Sequence, residues 1–181
     1  MNENIFVSAS EDKTLKFWEV SSTANLLEVK CLSTLIGDKI VWSLLKLNEQ
    51  YFASGMDWDM MDNKNVATLD GHSSRVCKLI KLNENMIGSC SFDDTVKIWE
   101  LNSSVPTKKG TGKCLVSLVG HESWVSSLLM ISNKIMVSSA DHEKVKVWNL
   151  DSTSVLGVAA GKCYHTFDGK TDSIYSCIRL A

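Results

Sequence analysis

One ten-residue phrase occurs three times in the chain, and this repetition limits the possible folds more than any other feature. The three copies are SEDKTLKFWE (10–19), SFDDTVKIWE (91–100) and DHEKVKVWNL (141–150). Each copy contains acidic turn residues followed by alternating apolar and polar residues that lead to a tryptophan. Short runs of β-branched and aromatic residues with this alternation are typical of strands rather than helices. The sequence therefore predicts an all-β chain made from copies of one supersecondary unit.

A second repeated feature is a glycine that follows a strand. Four segments superimpose on this glycine without gaps: CLSTLIGD (31–38), NVATLDGH (65–72), CLVSLVGH (114–121) and CYHTFDGK (163–170). An apolar strand follows each glycine, and a Ser-rich strand precedes each tryptophan phrase. Four kinds of strand thus recur in a fixed order, which predicts about 16 strands in four four-stranded units.

This order of strands resembles the WD-repeat β-propeller family, whose repeat has a Gly-His dipeptide and a Trp-Asp-like ending about 40 residues later. The endings in this chain are Trp18-Glu19, Trp99-Glu100 and Trp148-Asn149. The resemblance covers essentially the whole chain and implies one propeller domain over residues 1–181 with four four-stranded blades. The expected blade ranges are approximately 163–181 together with 1–20, 28–62, 65–101 and 114–150.

Two arrangements of the chain ends are compatible with this pattern. The chain starts at a second strand and ends at a first strand. Pairing of Ile5–Ser10 with Ile174–Leu180 would close a ring and remove exposed strand edges. The alternative is an open partial propeller, either a fragment of a longer protein or an arc completed by a second copy. Self-association is expected only if the propeller is open.

In the family that the chain resembles, a histidine, a serine, an aspartate and the tryptophan form a hydrogen-bonded set. The third repeat carries the whole set: His72, Ser89, Asp93 and Trp99. The fourth repeat carries His121, Ser138 and Trp148, with His142 where the aspartate is expected and Asp141 beside it. Buried polar groups must find partners, and a closed set satisfies each of them. These residues are therefore interpreted as structural and not as catalytic or metal-binding.

The other two repeats are less complete. The first has Ser8, Asp12 and Trp18 but no preceding Gly-His. In the second, Asp38 replaces the histidine and Trp58 stands where the turn aspartate is expected. Trp42 and Trp58 are interpreted as packing residues of this eroded repeat.

Composition excludes several other classes of function. The net charge is −2 and no basic block occurs, whereas nucleic-acid binding requires clustered Lys and Arg. No apolar run approaches the ~20 residues of a membrane helix, and the N-terminus lacks a secretory signal. The six cysteines contain no CxxC motif, and three of them occupy one repeat position on different blades. We therefore expect no membrane partner, cofactor or metal, and a cytoplasmic or nuclear location.

The resemblance implies that partner proteins bind to the face formed by the Gly-His turns and by the turns before the Trp strands. We call this the top face; its loops lie outside the strand ladders, where variation costs little stability. The candidate binding residues are Lys39, Arg75, Phe92, Trp124, Asp141 and Ser173. The sequence thus predicts a non-catalytic protein–protein interaction scaffold that binds partner proteins or peptides.

Two other functions stay open at this point. The chain could be the substrate-receptor or targeting part of a larger protein, such as a ubiquitin-ligase or kinase assembly. A hydrolase or lyase on a propeller scaffold would need polar residues that converge from several blades. The predicted long loops at 21–30, 102–113 and 151–162 are either docking elements or tolerated insertions.

Overall fold

The computed structural model describes residues 5–23, 26–47, 52–56, 69–101, 112–141, 144–150, 162–168, 174–178 and 180. These residues form thirteen strands and no α-helix, so the all-β prediction is confirmed. The strands are β1 (Ile5–Ala9), β2 (Thr14–Thr23), β3 (Leu26–Ile36), β4 (Val41–Lys46), β5 (Phe52–Met56), β6 (Val76–Asn83), β7 (Met86–Ser91), β8 (Val96–Leu101), β9 (Gly112–Leu118), β10 (Val125–Ser132), β11 (Ile135–Ala140), β12 (Lys144–Asn149) and β13 (Lys162–Asp168).

The strands form four antiparallel sheets, which we name blades A to D in chain order. Blade A is β1-β2-β3, blade B is β4-β5, blade C is β6-β7-β8-β9, and blade D is β10-β11-β12-β13. The first strands of blades B, C and D contact one another in turn, and β1 contacts β4. This series of small sheets packed through their inner strands is the architecture of a partial propeller.

The sheets are offset by one strand from the blade ranges expected from the sequence. The strand before each glycine turn pairs with the Trp strand of the preceding repeat, as β3 pairs with β2, β9 with β8 and β13 with β12. The glycine turn then takes the chain from the outer strand of one blade to the inner strand of the next. Sequence repeats and hydrogen-bonded sheets therefore have different boundaries, because antiparallel neighbours in sequence pair as hairpins.

The three tryptophans of the repeated phrase occupy equivalent positions. A register shift lies immediately before Trp18, Trp99 and Trp148 in the pairing with the outer strand. The residue opposite each tryptophan is a cysteine: Cys31, Cys114 and Cys163. A β-bulge bends and twists the strand that carries it. The same local distortion thus recurs in three blades, as the repeat predicts.

The hydrophobic core lies in blades C and D. Its buried members are Cys90, Val96, Ile98, Leu118, Val125, Leu128, Met136, Trp148 and Leu150. On β8 the buried Val96 and Ile98 alternate with the half-buried Lys97. This period of two is the alternation from which the strands were predicted.

One predicted long loop is a hairpin instead. Pairing of β2 with β3 continues from Thr14 opposite Ile36 to Thr23 opposite Leu26. Most of the segment 21–30 is therefore strand, and the loop prediction there was wrong. Strand-forming residues on both sides of residues 24 and 25 allow the hairpin to extend. Residues 102–111 and 151–161, which contain most of the other two predicted loops, lie outside the described residues.

The described part of the C-terminal segment does not pair with β1. Residues 174–178 form no strand, and β1 pairs only with β2 among the described residues. The segment instead lies against β10, where the backbone N–H of Cys177 donates to Ser127 Oγ at 3.3 Å. Of the two arrangements that the sequence left open, the described residues show the open one. The expected Trp strand of the second repeat falls within residues 57–68, which are not described.

Candidate protein-binding surface

A continuous series of hydrogen bonds joins the four side chains of the predicted polar set in blade C. The Trp99 indole N–H donates to Ser89 Oγ at 2.7 Å. Ser89 Oγ lies 2.7 Å from His72 Nε2, and His72 Nδ1 lies 2.7 Å from Asp93 Oδ2. An indole only donates and an ionised carboxylate only accepts. The hydroxyl proton of Ser89 therefore points to His72 Nε2, and Nδ1 carries the proton donated to Asp93.

The Asp93 carboxylate, at the end of this series of hydrogen bonds, accepts further hydrogen bonds that stabilise the turn. Asp93 accepts hydrogen bonds from the backbone N–H groups of Ser73 and Thr95, each at 3.0 Å, and from the Thr95 hydroxyl at 2.6 Å. Burial alone raises the pKa of Asp93, but the hydrogen bonds from His72 and Thr95 outweigh it. The pKa of Asp93 therefore lies well below its usual range. A carboxylate that accepts these hydrogen bonds stabilises the fold and is not poised to act as a general base.

Blade D has the same set without its carboxylate. His121 Nε2 lies 2.5 Å from Ser138 Oγ, and the Trp148 indole donates to the same oxygen at 2.8 Å. His121 Nδ1 is buried and has no hydrogen-bond partner among the described residues. Burial, followed by the charges of Lys146 and Lys144, lowers the pKa of His121 to about 4. The ring is therefore neutral at physiological pH.

Asp141 does not replace the missing aspartate because it occupies a different position in the turn. Its backbone N–H donates to the Trp124 carbonyl at 2.8 Å, as the Phe92 N–H donates to the Arg75 carbonyl at 2.9 Å. Asp141 is therefore the counterpart of Phe92, which is one residue before Asp93. In blade A the Trp18 indole donates to Ser8 Oγ at 2.8 Å, so that pair is also present.

Four side chains on the top face form a stack that bridges three blades. The Arg75 guanidinium lies 3.5 Å from the ring centroid of Trp42 and 4.8 Å from that of Phe92. Phe92 in turn stacks on Trp124, with centroids 4.5 Å apart and ring planes within 6° of parallel. We call Trp42, Arg75, Phe92 and Trp124 the aromatic–arginine stack. Cation–π and aromatic pairs of this kind each contribute about 0.5–2 kcal/mol.

The outer end of the stack faces solvent. Trp124 is 50% exposed, although Phe92 covers one face of its ring. Arg75, Phe92 and Trp42 are half-buried. The backbone hydrogen bonds of Phe92 and Asp141 fix the two turns from which Phe92 and Trp124 project. The structure thus presents a large aromatic surface in a rigid position.

A cavity of about 190 Å³ lies beside the stack, and four of its six lining residues share one position of the repeat. Its lining residues are Trp42, Arg75, Cys77, Phe92, Ser126 and Tyr175. Four of these residues immediately follow the first residue of an inner strand, or of the C-terminal segment, in the aligned repeats. Burial raises the pKa of the Cys77 thiol to about 12, so this thiol is protonated and is not a nucleophile at neutral pH.

The structure brings together three of the six residues proposed from the sequence, namely Arg75, Phe92 and Trp124. Asp141 lies in the equivalent turn of blade D. Lys39 lies before β4, but the strand register makes Ile40 the counterpart of Arg75, since Val41 and Val76 hold the same position. Ser173 lies outside the described residues.

Trp42 was interpreted from the sequence as a packing residue, and its contact with Arg75 was not predicted. The signal was present in the aligned inner strands, where this column holds Trp42, Cys77, Ser126 and Tyr175. The residue at this position varies from tryptophan to serine between repeats. This variation indicates that blade packing does not require a particular side chain there. Because inner strands converge toward one axis, such a column lines a common space.

Two further classes of site are absent from the described residues. No group of three or more His, Cys, Asp or Glu side chains among the described residues is placed to hold a metal ion. The described residues also include no helix with the length and apolar character needed to cross a membrane. All six cysteines are free thiols.

The fold and its repeated polar set define an array of propeller blades, and comparison with known proteins identifies the family. The model of the WD domain, G-beta repeat, matches residues 2–19, 63–100 and 112–149, just over half of the chain. The chain therefore belongs to the WD-repeat family, whose repeats generally mediate protein–protein interaction.

Curated relatives share moderate identity with parts of this chain. Human Striatin-3 is 30% identical over 129 residues, which cover 58% of this chain and 16% of Striatin-3. The rat protein of the same name gives the same figures. Ribosome biogenesis protein YTM1 of Debaryomyces hansenii is 30% identical over 111 residues, covering 53% of this chain and 22% of YTM1. The chain thus aligns with less than a quarter of the length of these relatives.

Proposed function

We propose that this chain is a non-catalytic scaffold that binds partner proteins or peptides through the aromatic–arginine stack on its top face. The observation that carries the proposal is the continuous stack from Trp42 to Trp124, which joins three blades and ends in a half-exposed indole. Tryptophan, tyrosine and arginine dominate binding energy in protein interfaces. This surface contains two of these residue types, held against one another.

Rigidity supports this role. Phe92 and Trp124 project from turns that are fixed by backbone hydrogen bonds of 2.9 and 2.8 Å. The buried polar set of blade C fixes the same turn from the other side through Asp93. A partner that docks on side chains already in place loses less free energy to ordering them.

Protein partners fit the charge of the chain better than nucleic acid does. The net charge is −2, and the basic residues form no block in the sequence. The proposed partner is intracellular, since six free thiols are typical of proteins in reducing compartments.

A second candidate function is a substrate-receptor or targeting part within a larger protein or assembly. It is favoured by the coverage of the relatives, because this chain aligns with only 16% of Striatin-3 and 22% of YTM1. Both candidates use the top face to hold another protein, and they differ only in what the scaffold is attached to.

The proposal is tested by affinity capture with wild-type chain and the Trp124→Ala variant. We expect the variant to bind the same partner at least about 30-fold more weakly, the effect of losing about 2 kcal/mol at a hot spot. Arg75→Ala in the same chain should weaken capture further.

The matched control is Tyr164→Ala, which removes a 60% exposed aromatic residue from the outer strand β13. Capture by this variant should equal that of the wild type. The proposal fails if Trp124→Ala and Tyr164→Ala bind the partner equally well while both remain folded.

A further inference from the structure

The cavity beside the aromatic–arginine stack has a positively charged wall. Arg75 is the basic residue among the described residues that line it. The Arg75 guanidinium lies 3.5 Å from the ring centroid of Trp42 and 4.8 Å from that of Phe92. Contacts with two rings therefore hold this charge at the cavity.

Packing on aromatic rings leaves the edge of a guanidinium for hydrogen bonds. An arginine side chain has five N–H donors in one plane and no acceptor. Contacts with rings use the flat face of the group, so Arg75 can donate from its edge to a further acceptor in addition to its other contacts. A carboxylate matches this edge, because its two oxygens can accept two parallel N–H bonds.

The other described walls of the cavity add no negative charge. Burial raises the pKa of the Cys77 thiol to about 12, so this group is neutral at physiological pH. The Ser126 hydroxyl donates to the carbonyls of Ile174 and Ser139. The described lining thus consists of one cation, neutral polar groups and aromatic rings.

The nearby Asp93 carboxylate does not reverse the charge of the cavity wall. It already accepts hydrogen bonds from His72 and Thr95. Burial has the largest effect on the pKa of Cys77, and the Arg75 charge lowers this pKa more than the Asp93 charge raises it. Of these two charges, the positive one has the larger effect at the cavity wall, which favours an anionic ligand.

The size of the cavity limits the ligand to about one side chain. Its volume of about 190 Å³ is below the range of about 300–1,000 Å³ that is usual for sites of small molecules and cofactors. Tyr175, which lines the cavity, is 80% exposed, so the cavity is accessible from solvent.

We propose that the cavity receives an acidic side chain, aspartate or glutamate, of the partner protein, and that its carboxylate accepts hydrogen bonds from the edge of the Arg75 guanidinium. An acidic anchor of this kind rests on the proposed top-face function, since it is the part of the partner that the stack would hold. Arg75 is half-buried, and charge-assisted hydrogen bonds are stronger where water is partly excluded. A phosphorylated side chain matches less well, because its recognition uses clusters of arginine.

The first test titrates the wild-type chain at constant ionic strength with N-acetyl-glutamate α-amide and, separately, with N-acetyl-glutamine amide. The two probes have the same shape and differ in the charge of the side chain. Binding is followed by NMR at the Nε–H of Arg75 and at the indole N–H of Trp42. We expect the acid to bind at least about tenfold more tightly than the amide. Equal binding, or no shift of the Arg75 signal up to the solubility limit of the acid, overturns the proposal.

The second test identifies the group that binds the carboxylate. In Arg75→Gln the acid should bind no better than the amide, because the positive charge is lost. Lys113→Gln is the matched control, since it removes an equal charge from an exposed side chain on β9, away from the described cavity wall. This control should keep the preference for the acid. Retention of the preference in Arg75→Gln, or its loss in both variants, overturns the assignment to Arg75, and the comparison of probes on the wild type does not depend on either variant.

The third test connects the cavity with the partner. At about ten times its dissociation constant, the acid should weaken capture of the partner by the wild-type chain about tenfold, because the two compete for one site. Unchanged capture overturns the acidic anchor. The proposed top-face function is judged separately, since Trp124→Ala can still weaken capture when neither probe binds.

Discussion

At the residue scale, blades C and D show what one carboxylate adds to the repeated polar set. In blade C the proton on His72 Nδ1 is accepted by Asp93 at 2.7 Å. In blade D, His121 Nδ1 is buried without a partner among the described residues. Leaving a buried polar group unpaired costs about 1–3 kcal/mol, and Asp93 prevents this cost for His72 in blade C.

We predict that Asp93→Ala destabilises the fold by about 1–3 kcal/mol. The substitution removes the acceptor of His72, whose side chain is 5% exposed, together with the acceptor of the Thr95 hydroxyl. The free energy of unfolding in urea measures the effect. Asp12→Ala is the control, since Asp12 holds the same turn position but is exposed. Equal losses in the two variants would show that the buried set contributes nothing.

Acid should destabilise the fold through His121. Its pKa is about 4 in the folded chain and about 6.5 when unfolded. Between these values the unfolded chain binds a proton that the folded chain does not, so stability falls as the pH falls from 6.5 toward 4. From pH 7 to pH 5 the loss should be about 2 kcal/mol.

The His121 prediction is checked by urea unfolding at both pH values in the wild type and in His121→Gln. The glutamine cannot be protonated in this range, and every other titrating group is kept. The wild type should lose about 2 kcal/mol more than the variant on going from pH 7 to pH 5. Parallel losses would contradict the assignment.

The sequence predicted the hydrogen-bonded set of blade C, but it left the role of Asp141 open. The set in blade C follows from the aligned repeats, since each member has a fixed position relative to Gly71. Whether Asp141 replaces the absent aspartate could not be decided from adjacency in sequence. Its backbone hydrogen bond to Trp124 places it one position early in the turn.

At the scale of strands and turns, glycines at the same position of the repeat differ in whether the local backbone requires a glycine. Gly71 and Gly120 have φ values of 154° and 149°, which side chains other than hydrogen rarely allow. A Cβ at Gly71 would also lie 3.1 Å from the Trp99 ring. At Gly37 the nearest atom would be 3.5 Å away, at ordinary contact distance.

We therefore predict that Gly71→Ala destabilises the fold by about 1–3 kcal/mol, whereas Gly37→Ala changes stability by less than about 0.5 kcal/mol. Thermal unfolding of the two variants beside the wild type makes the comparison. A loss at Gly37 as large as that at Gly71 would mean that the glycine is required by the repeat itself and not by its local backbone.

The sequence predicted which segments form strands, but it did not predict which strands pair with one another. Alternation of apolar and polar residues predicts that β8 and β12 exist and which of their faces is buried. It does not say that β9 joins the sheet of β8, because pairing depends on the connecting turns. The extended β2–β3 hairpin was missed for a different reason, since residues 21–30 have no apolar alternation strong enough to exclude a loop.

At the scale of the whole molecule, a division of roles separates the buried tryptophans from the exposed one. Trp99 and Trp148 are 2% and 1% exposed and lie within blades. Trp124 is 50% exposed and joins neighbouring blades across the top face. The sequence predicted this division for Trp124, but it could not predict that Arg75 joins Trp42 to the same stack. That contact depends on the angle between blades B and C.

The most direct test of this division is the free energy of unfolding of Trp148→Ala beside that of Trp124→Ala. Trp148 fills the core and donates its indole N–H to Ser138, so its loss should cost about 3–5 kcal/mol. Trp124 loses mainly its stack on Phe92, which should cost less than about 1.5 kcal/mol. A loss at Trp124 that equals or exceeds the loss at Trp148 would contradict the account.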